Sequence, residues 1–182
     1  MRHHVIIAAT AVVAIGCFRH EPQLPASIPV AEGARHTLFA LTYIDVVQGA
    51  GAAVAPRRCL FANYTGWLTN GTKFDSSRDT MPNGKQREPI SFPQGSRRVI
   101  AGWDVGFEGM KVGGQRRLFI PYQLAYGESG RPPLIPAKAE LIFAVELMAV
   151  ADTLARRPDS SANRPATPPV PLCPTWKAVS GG

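Results

Sequence analysis

The sequence has few of the residues on which most catalytic and metal sites are built. The 182-residue chain contains four histidines, and the last of them is His36. Its three cysteines, Cys17, Cys59 and Cys173, are too few and too scattered for a zinc cluster. Beyond residue 36, these shortages exclude a Ser-His-Asp or Cys-His catalytic device and a histidine-based metal site. We therefore predict a function that uses neither such a catalytic device nor a metal ion. We also expect no cofactor.

Long helices are also not expected. Glycine and proline, the two residues least suited to helices, each number 17. The hydrophobic fraction of 45% is nevertheless sufficient for a packed core. The formal net charge is +7, with paired arginines at 97–98 and 116–117. Neighbouring side chains of a strand point to opposite faces, so such pairs do not form one nucleic-acid patch. We expect no nucleic-acid partner, and a solvated basic surface that favours acidic lipids or clients.

The N-terminus has the features of an export signal. A short basic start precedes an apolar run at residues 5–16, which is too short to span a bilayer comfortably as a helix. The run ends in AIGC at residues 14–17, which resembles a bacterial lipobox except that Ala14 stands where leucine is usual. We expect a lipoprotein-type signal peptide over residues 1–16 and lipidation of Cys17. An ordinary secretory signal with an incidental cysteine is the alternative, and both export the protein.

Flanks without periodicity surround the central part of the chain. We predict a flexible tether over residues 17–36 and a proline-rich tail over residues 151–182. The folded domain should occupy residues 37–150. Phe18 follows the lipid site in place of the aspartate that retains many lipoproteins in the inner membrane. We therefore expect an outer-membrane lipoprotein that faces the periplasm.

Strand-like segments and turns dominate the domain. The strand candidates lie at residues 38–47, 59–67, 73–75, 116–120 and 140–150. Over residues 100–110, apolar side chains recur at intervals of three and four, which predicts one short helix with a single apolar face. The members of this face are Ile100, Trp103, Phe107 and Met110. We predict an α+β fold in which an antiparallel sheet of about five strands covers the helix.

Six short blocks stand out along the domain: NYTGWL (63–68), GTKFDSS (71–77), VIAGW (99–103), GMKVGG (109–114), AYG (125–127) and LIFAVEL (141–147). In order and approximate spacing, these blocks resemble the FK506-binding proteins, the FKBP-type peptidyl-prolyl isomerases. The family fold is a curved antiparallel sheet of about five strands wrapped around one short helix. The resemblance implies cis–trans isomerisation of X-Pro bonds, with proline-containing proteins as clients and FK506-type macrolides as inhibitors.

The resemblance also implies a substrate site made largely of aromatic rings. Trp103 would form the floor under the proline ring. The Tyr126 hydroxyl and the Ile100 N–H would donate to substrate carbonyls, and Asp75 would accept from the Tyr64 hydroxyl. The implied catalytic residues are Tyr64, Phe74, Asp75, Trp103, Tyr126 and Phe143, and the implied substrate-binding residues are Val99, Ile100, Leu134 and Ile135. From the spacing of the residues alone, those members of this set that lie on strands would be expected to pack in the core and not to contact a substrate.

The chain departs from the family pattern near this site. Leu134 and Ile135 would lie in a flap over the substrate, where Arg131 replaces a frequent histidine. Ile90 stands where an aromatic residue is common, and the loop from Asp79 to Ile90 is longer than in the smallest family members. These departures leave the substrate preference open.

The two cysteines of the mature domain and tail can form a disulfide. Tyr64 must face the substrate pocket, so alternation along its strand places Cys59 and Phe61 on the outer face. Export implies oxidising conditions. We predict a Cys59–Cys173 disulfide that folds the tail across this face, where Trp176 would cover Phe61. A buried free Cys59 with a disordered tail is the alternative.

Two functions from different classes agree with the sequence. An isomerase needs rings and hydrogen bonds but no nucleophile, because rotation about an X-Pro amide breaks no bond to a heavy atom. The alternative is a proline-peptide-binding chaperone domain with little or no isomerase turnover. The presence of all six implied catalytic residues favours the isomerase.

Overall fold

The computed structural model describes residues 24–38, 40–154 and 172–181 of the chain. The expected signal peptide over residues 1–16 and the lipidation site Cys17 lie outside the described residues. Within the described ranges, no helix is both long and apolar enough to cross a membrane.

One antiparallel sheet of seven strands forms the frame of the domain. The strands are β1 (Arg35–Leu38), β2 (Leu41–Val47), β3 (Cys59–Leu68), β4 (Lys73–Ser76), β5 (Ile90–Pro93), β6 (Gln115–Ile120) and β7 (Leu141–Ala151). The α-helices are α1 (Ala101–Gly106) and α2 (Trp176–Ser180), and two short 3-10 helices lie at Tyr122–Leu124 and Gly127–Ser129. The order in space is β1-β2-β6-β7-β3-β4, and β5 pairs with β3. The predicted α+β fold, an antiparallel sheet around a short helix, is confirmed.

The sheet contains two strands more than the sequence predicted. The strand predicted over residues 38–47 is observed as β2, which begins only at Leu41, and the additional strand β1 lies almost entirely before the predicted segment and pairs with β2, with Leu38 opposite Leu41. The other addition is β5, whose four residues carry too little alternation to be recognised in the sequence. It is held by pairing with residues 59–62 of β3.

The helix α1 is shorter than the segment, residues 100–110, over which the spacing of apolar residues predicted a helix. It ends at Gly106, and the chain continues as a turn in which Gly109 has a φ of +73°. Trp103, Phe107 and Met110 nevertheless share the buried face that the spacing predicts. The apolar pattern therefore marks one buried face that includes the turn after the helix.

Two glycines let α1 lie close against β6. A Cβ atom on Gly102 would lie 2.3 Å from Ile120 Cγ2, and one on Gly106 would lie 2.9 Å from Leu118 Cδ1. Both distances are shorter than a normal contact between carbon atoms. Larger residues would push the helix away from the sheet, and Trp103 would leave its position in the core.

The chain before β1 covers the outer face of the sheet. Ile28 and Ala31 are buried there against apolar side chains of the strands. The covered side chains are Ile44, Trp67, Phe119 and Ile142. Over its described part, residues 24–36, the expected flexible tether is therefore packed against the sheet, because the outer face would otherwise expose large apolar groups to water.

The adjacent Arg116 and Arg117 are buried on opposite faces of β6. Arg116 Nε donates to Asp45 Oδ1 at 2.6 Å, and its Nη1 donates to the Gly106 carbonyl at the end of α1. The Arg117 guanidinium lies 5.6 Å from the centroid of the Trp67 ring. These two charges therefore belong to the interior and not to the solvated basic surface that the composition suggested.

A disulfide joins Cys59, at the start of β3, to Cys173. It holds residues 172–181 against the sheet, and the Trp176 and Phe61 ring centroids lie 5.6 Å apart. This is the pairing that alternation along β3 predicted. Cys59 and Phe61 are fully buried because the returning tail covers them.

Gly102→Ala should destabilise the fold, although alanine favours a helix by about 1 kcal/mol over glycine. The new methyl group meets the stiff, β-branched Ile120, so we expect the free energy of unfolding to fall by about 1–3 kcal/mol in urea denaturation. Gly106→Ala is the matched comparison, because its methyl group meets the flexible end of Leu118. Gly106→Ala should cost less. A Gly102→Ala variant as stable as wild type would contradict this account of the helix position.

Candidate active site

A cavity of about 560 Å³, within the size range of ligand sites, opens beside α1. The lining residues are Tyr64, Phe74, Asp75, Ile90, Arg98, Val99, Ile100, Ala101, Trp103, Ala125, Tyr126, Arg131 and Phe143. They come from β3, β4, β5, α1, β7 and the loops before α1 and after β6. In the described part of the chain, no group of three His, Cys, Asp or Glu side chains could hold a metal ion.

Trp103 lies at the centre of the ring cluster below the cavity. Its indole packs edge to face on Tyr64, with the centroids 5.1 Å apart, and on Phe143, with the centroids 5.3 Å apart. Phe92 and Phe107 each lie 5.6 Å from it. Tilted and edge-to-face contacts are the favoured arrangements of aromatic pairs. The indole is therefore held in one orientation from several sides.

Phe74 and Phe143 form one wall over a glycine in β3. Their rings meet edge to face, with the centroids 5.5 Å apart. A Cβ atom on Gly66 would lie 2.6 Å from the Phe74 ring and 2.7 Å from the Phe143 ring. Gly66 therefore leaves the space that both rings occupy.

Asp75 is the only carboxylate among the lining residues, and its oxygens are paired. Oδ2 accepts from the Tyr64 hydroxyl at 2.6 Å, and Oδ1 accepts from Arg87 Nη1 at 2.7 Å and from the Ser76 N–H at 2.9 Å. Burial alone would raise the pKa of Asp75, but the hydrogen bonds from Tyr64 and Arg87 outweigh burial and hold this pKa below its ordinary value. Burial and the bond to Asp75 raise the pKa of Tyr64, so its hydroxyl stays a donor.

Tyr126 brings a second hydroxyl to the cavity. Arg131 Nη1 donates to the Tyr126 oxygen at 3.4 Å, and the guanidinium lies 5.7 Å from the ring centroid. Because the oxygen accepts this bond, the O–H can still donate to a ligand. The Ile100 N–H, just before α1, also has no hydrogen-bond partner within the described ranges. The cavity therefore has two donors available for carbonyl oxygens.

The structure brings eight of the ten predicted site residues to this cavity. They are Tyr64, Phe74, Asp75, Val99, Ile100, Trp103, Tyr126 and Phe143. Leu134 and Ile135 do not line it. Ile135 is buried in the core and its backbone exchanges two hydrogen bonds with Arg131, while Leu134 is 61% exposed. The two residues therefore belong to a tight loop beside the cavity, because the bridge from Arg131 to Ile135 turns the chain back on itself.

Five further residues line the cavity, and Arg87, which does not line it, forms a salt bridge with Asp75. The lining residues are Ile90, Arg98, Ala101, Ala125 and Arg131. The sequence marked Ile90 and Arg131 as departures from the family pattern. Arg98 and Arg87 carry no such signal. Arg87 reaches Asp75 only because the loop after β4 returns to it, and a single sequence does not reveal that return.

Asp75→Asn should change the dependence of stability on pH. The pKa of Asp75 lies below its ordinary 3.8 in the folded protein, so its charge stabilises the fold above that pH and the contribution is lost as the pH falls through the folded value. We expect the variant to be less stable than wild type at about pH 7, with a difference that shrinks below about pH 4.

Urea unfolding across this pH range measures the effect. Asp79→Asn is the control, because the exposed Asp79–Lys73 ion pair should contribute little to stability. A deficit of Asp75→Asn that stays constant down to acid pH would show that the carboxylate charge does not stabilise the fold.

Comparisons with known proteins agree with the geometry. A model of the FKBP-type peptidyl-prolyl cis-trans isomerase family matches residues 52–148. The FK506-binding protein of Neisseria meningitidis serogroup B is 46% identical over 106 residues, which are 58% of this chain and 92% of that protein. FK506-binding protein 4 of Dictyostelium discoideum is 50% identical over 111 residues, which are 61% of this chain and 28% of that protein.

A solved structure has the same fold. The crystal structure of FkpA from Escherichia coli aligns with a TM-score of 0.57 and 38% identity, over 66% of this chain and 53% of that one. This chain therefore spans about half of the FkpA chain and under a third of the Dictyostelium protein, but nearly the whole Neisseria protein.

The family match and the cavity coincide. The model covers more than half of the chain, and every residue that lines the cavity lies inside the matched segment. The resemblance found in the sequence blocks is confirmed. The chain belongs to the FKBP-type peptidyl-prolyl cis-trans isomerase family.

Proposed function

We propose that the protein catalyses cis–trans isomerisation of X-Pro bonds in exported proteins. The observation that carries the proposal is the convergence of aromatic rings from β3, β4, α1 and β7 on one cavity. The single carboxylate of that cavity is already paired with Tyr64 and Arg87. The cavity therefore offers apolar surface and hydrogen-bond donors, which suit a rotation that needs no nucleophile.

The physical chemistry of the amide explains why such a cavity accelerates the rotation. The planar X-Pro amide is stabilised by resonance, and the barrier to rotation is about 18–20 kcal/mol. The twisted amide has less charge separation than the planar one. Transfer into a water-poor aromatic cavity therefore destabilises the planar form more than the twisted form, while fixed donors hold the neighbouring carbonyls.

Five of the cavity residues have a direct role in this proposal. The proline ring lies over Trp103, between the wall of Phe74 and Phe143. The Tyr126 hydroxyl and the Ile100 N–H donate to substrate carbonyls on either side of the rotating bond. The buried rings around Trp103 give the cavity a fixed shape, so little ordering is needed when a proline enters.

Phe74→Ala and Tyr126→Phe should lower the isomerisation rate to different degrees. Phe74→Ala admits water to the cavity, so we expect its kcat/KM to fall by more than about tenfold if desolvation dominates. Tyr126→Phe removes one neutral hydrogen bond of about 0.5–1.5 kcal/mol, which lowers the rate by at most roughly tenfold. A peptide with an apolar residue before proline serves as substrate, and urea unfolding checks that both variants are folded.

An equal or larger loss for Tyr126→Phe would contradict the desolvation mechanism. Wild-type protein that binds proline peptides and does not accelerate their isomerisation would favour the chaperone domain. An FK506-type macrolide distinguishes the pocket from other surfaces, because it should block either activity by occupying the same cavity.

We further propose that the protein is an outer-membrane lipoprotein anchored through Cys17 and facing the periplasm. The apolar run that ends at Cys17 supports export with lipidation. The Cys59–Cys173 disulfide supports an oxidising compartment outside the cytoplasm. The short segment from Phe18 to the packed residue Ile28 would link the anchor to the domain.

Cys17→Ser should release the protein from the membrane fraction, because it removes the thiol that would carry the lipid. Fractionation of the cell envelope measures this, and mass spectrometry of the mature N-terminus identifies the lipid. Cys59→Ser is the control for loss of a cysteine: it breaks the disulfide to Cys173 but should leave the protein in the membrane fraction. Wild-type protein found soluble, with an N-terminus elsewhere, would show that Cys17 is not the anchor.

A further inference from the structure

A second groove adjoins the proposed proline cavity. Its volume is about 290 Å³, and its lining residues are Ile90, Ser91, Phe92, Pro93, Arg98, Val99, Leu172 and Cys173. Three of these residues, Ile90, Arg98 and Val99, also line the main cavity. The groove and the main cavity are therefore neighbours that meet at these three residues.

The groove runs along the strand β5. Side chains of a strand alternate between its faces, yet all four residues of β5 line the groove. Residues from both faces of β5 therefore line the groove, which runs alongside the whole length of the strand. Among the strands that the structure describes, β5 pairs only with β3. A strand with an unpaired edge can bind an extended peptide through its backbone groups.

The far wall of the groove is the tail segment at Leu172 and Cys173. The disulfide to Cys59 fixes this segment, and the Leu154 N–H donates to the Leu172 carbonyl at 2.7 Å. The Leu172 side chain is 42% exposed, so it presents an apolar surface to the groove that a ligand can cover. The wall exists only because the tail returns to β3.

The rim shared by the two cavities is basic. Arg98 lines both cavities, and Arg131 lines the main one. Neither arginine forms a salt bridge with a carboxylate within the described residues. The salt bridge of Asp75 is with Arg87 and not with either of them. A ligand that passes Arg98 therefore meets an exposed positive charge that has no carboxylate partner among the described residues.

We propose that this groove is a second subsite that binds the client segment next to the substrate proline. The segment lies extended along β5, it packs on Leu172, and an acidic side chain faces Arg98. The inference rests on the proposed function, because that function places a proline in the adjoining cavity. It assigns to this protein a preference for extended clients with an acidic residue near proline.

Peptide length tests the groove. The probes are a fluorescent four-residue peptide with a central X-Pro bond, and the same core lengthened by four residues on one side or the other. Dissociation constants are measured by fluorescence anisotropy with the full chain. We expect one of the two extensions to tighten binding at least about threefold. Leu172→Ser should abolish this gain. Leu154→Ser is the control, because Leu154 pairs with Leu172 in the same bridge but does not line the groove, and this variant should retain the gain.

Peptide charge tests the role of Arg98. The tighter long peptide is made with Glu, Gln or Lys at the first added position. We expect a Glu peptide to bind roughly two- to fivefold more tightly than a Lys peptide at low salt, and less so as the ionic strength rises. Arg98→Gln should bring this ratio close to one. Arg97→Gln removes the same charge from the neighbouring residue, which lines neither cavity, and should leave the ratio unchanged.

Equal binding of short and long peptides, or a Glu-to-Lys ratio that Arg98→Gln does not change, would overturn the inference. The proposed function fails by a different result. If no peptide is isomerised, the proposed catalysis is wrong, while the binding measurements still decide whether the groove holds the client segment.

Discussion

The close packing of α1 against β6 is the contact on which the rest of the structure depends. Because Gly102 has no side chain, the helix backbone approaches Ile120 to a distance that a methyl group would prevent. This depth places Trp103 among the buried rings of the sheet. The cavity opens directly above that indole, so the position of a short helix determines whether the proposed proline site exists.

The carboxylate of the cavity, Asp75, is bound by neighbouring side chains, and these contacts limit the chemistry that it can perform. Asp75 is charged but held by Tyr64 and Arg87, so it contributes a fixed local field and not a free base. Two lining arginines that form no salt bridge within the described residues, Arg98 and Arg131, give the entrance the opposite sign. An apolar interior with a basic entrance suits a client in which the proline is buried and its polar neighbours remain near the surface.

Much of the fold and of the site could be predicted from the sequence, and the misses have physical reasons. The spacing of Trp103 and Phe107 revealed the buried face of the helix and its following turn. Eight of the ten predicted site residues lie in the sequence blocks that resemble the family, and these eight line the cavity. Features that depend on non-local contacts were not accessible: the strand β5 is stabilised by β3, and Arg87 reaches Asp75 through a long loop. Leu134 was placed by family analogy, and the local bridge in its loop turns it outward.

The central claim is that a proline bound over Trp103 isomerises faster than in water. Two-dimensional exchange NMR on an X-Pro peptide with a catalytic amount of the protein tests this claim most directly. We expect cis–trans exchange within about a second, against tens to hundreds of seconds unaided, together with a shift of the Trp103 indole N–H signal on peptide binding. Exchange at the unaided rate, with the peptide bound and the Trp103 signal shifted, would contradict it.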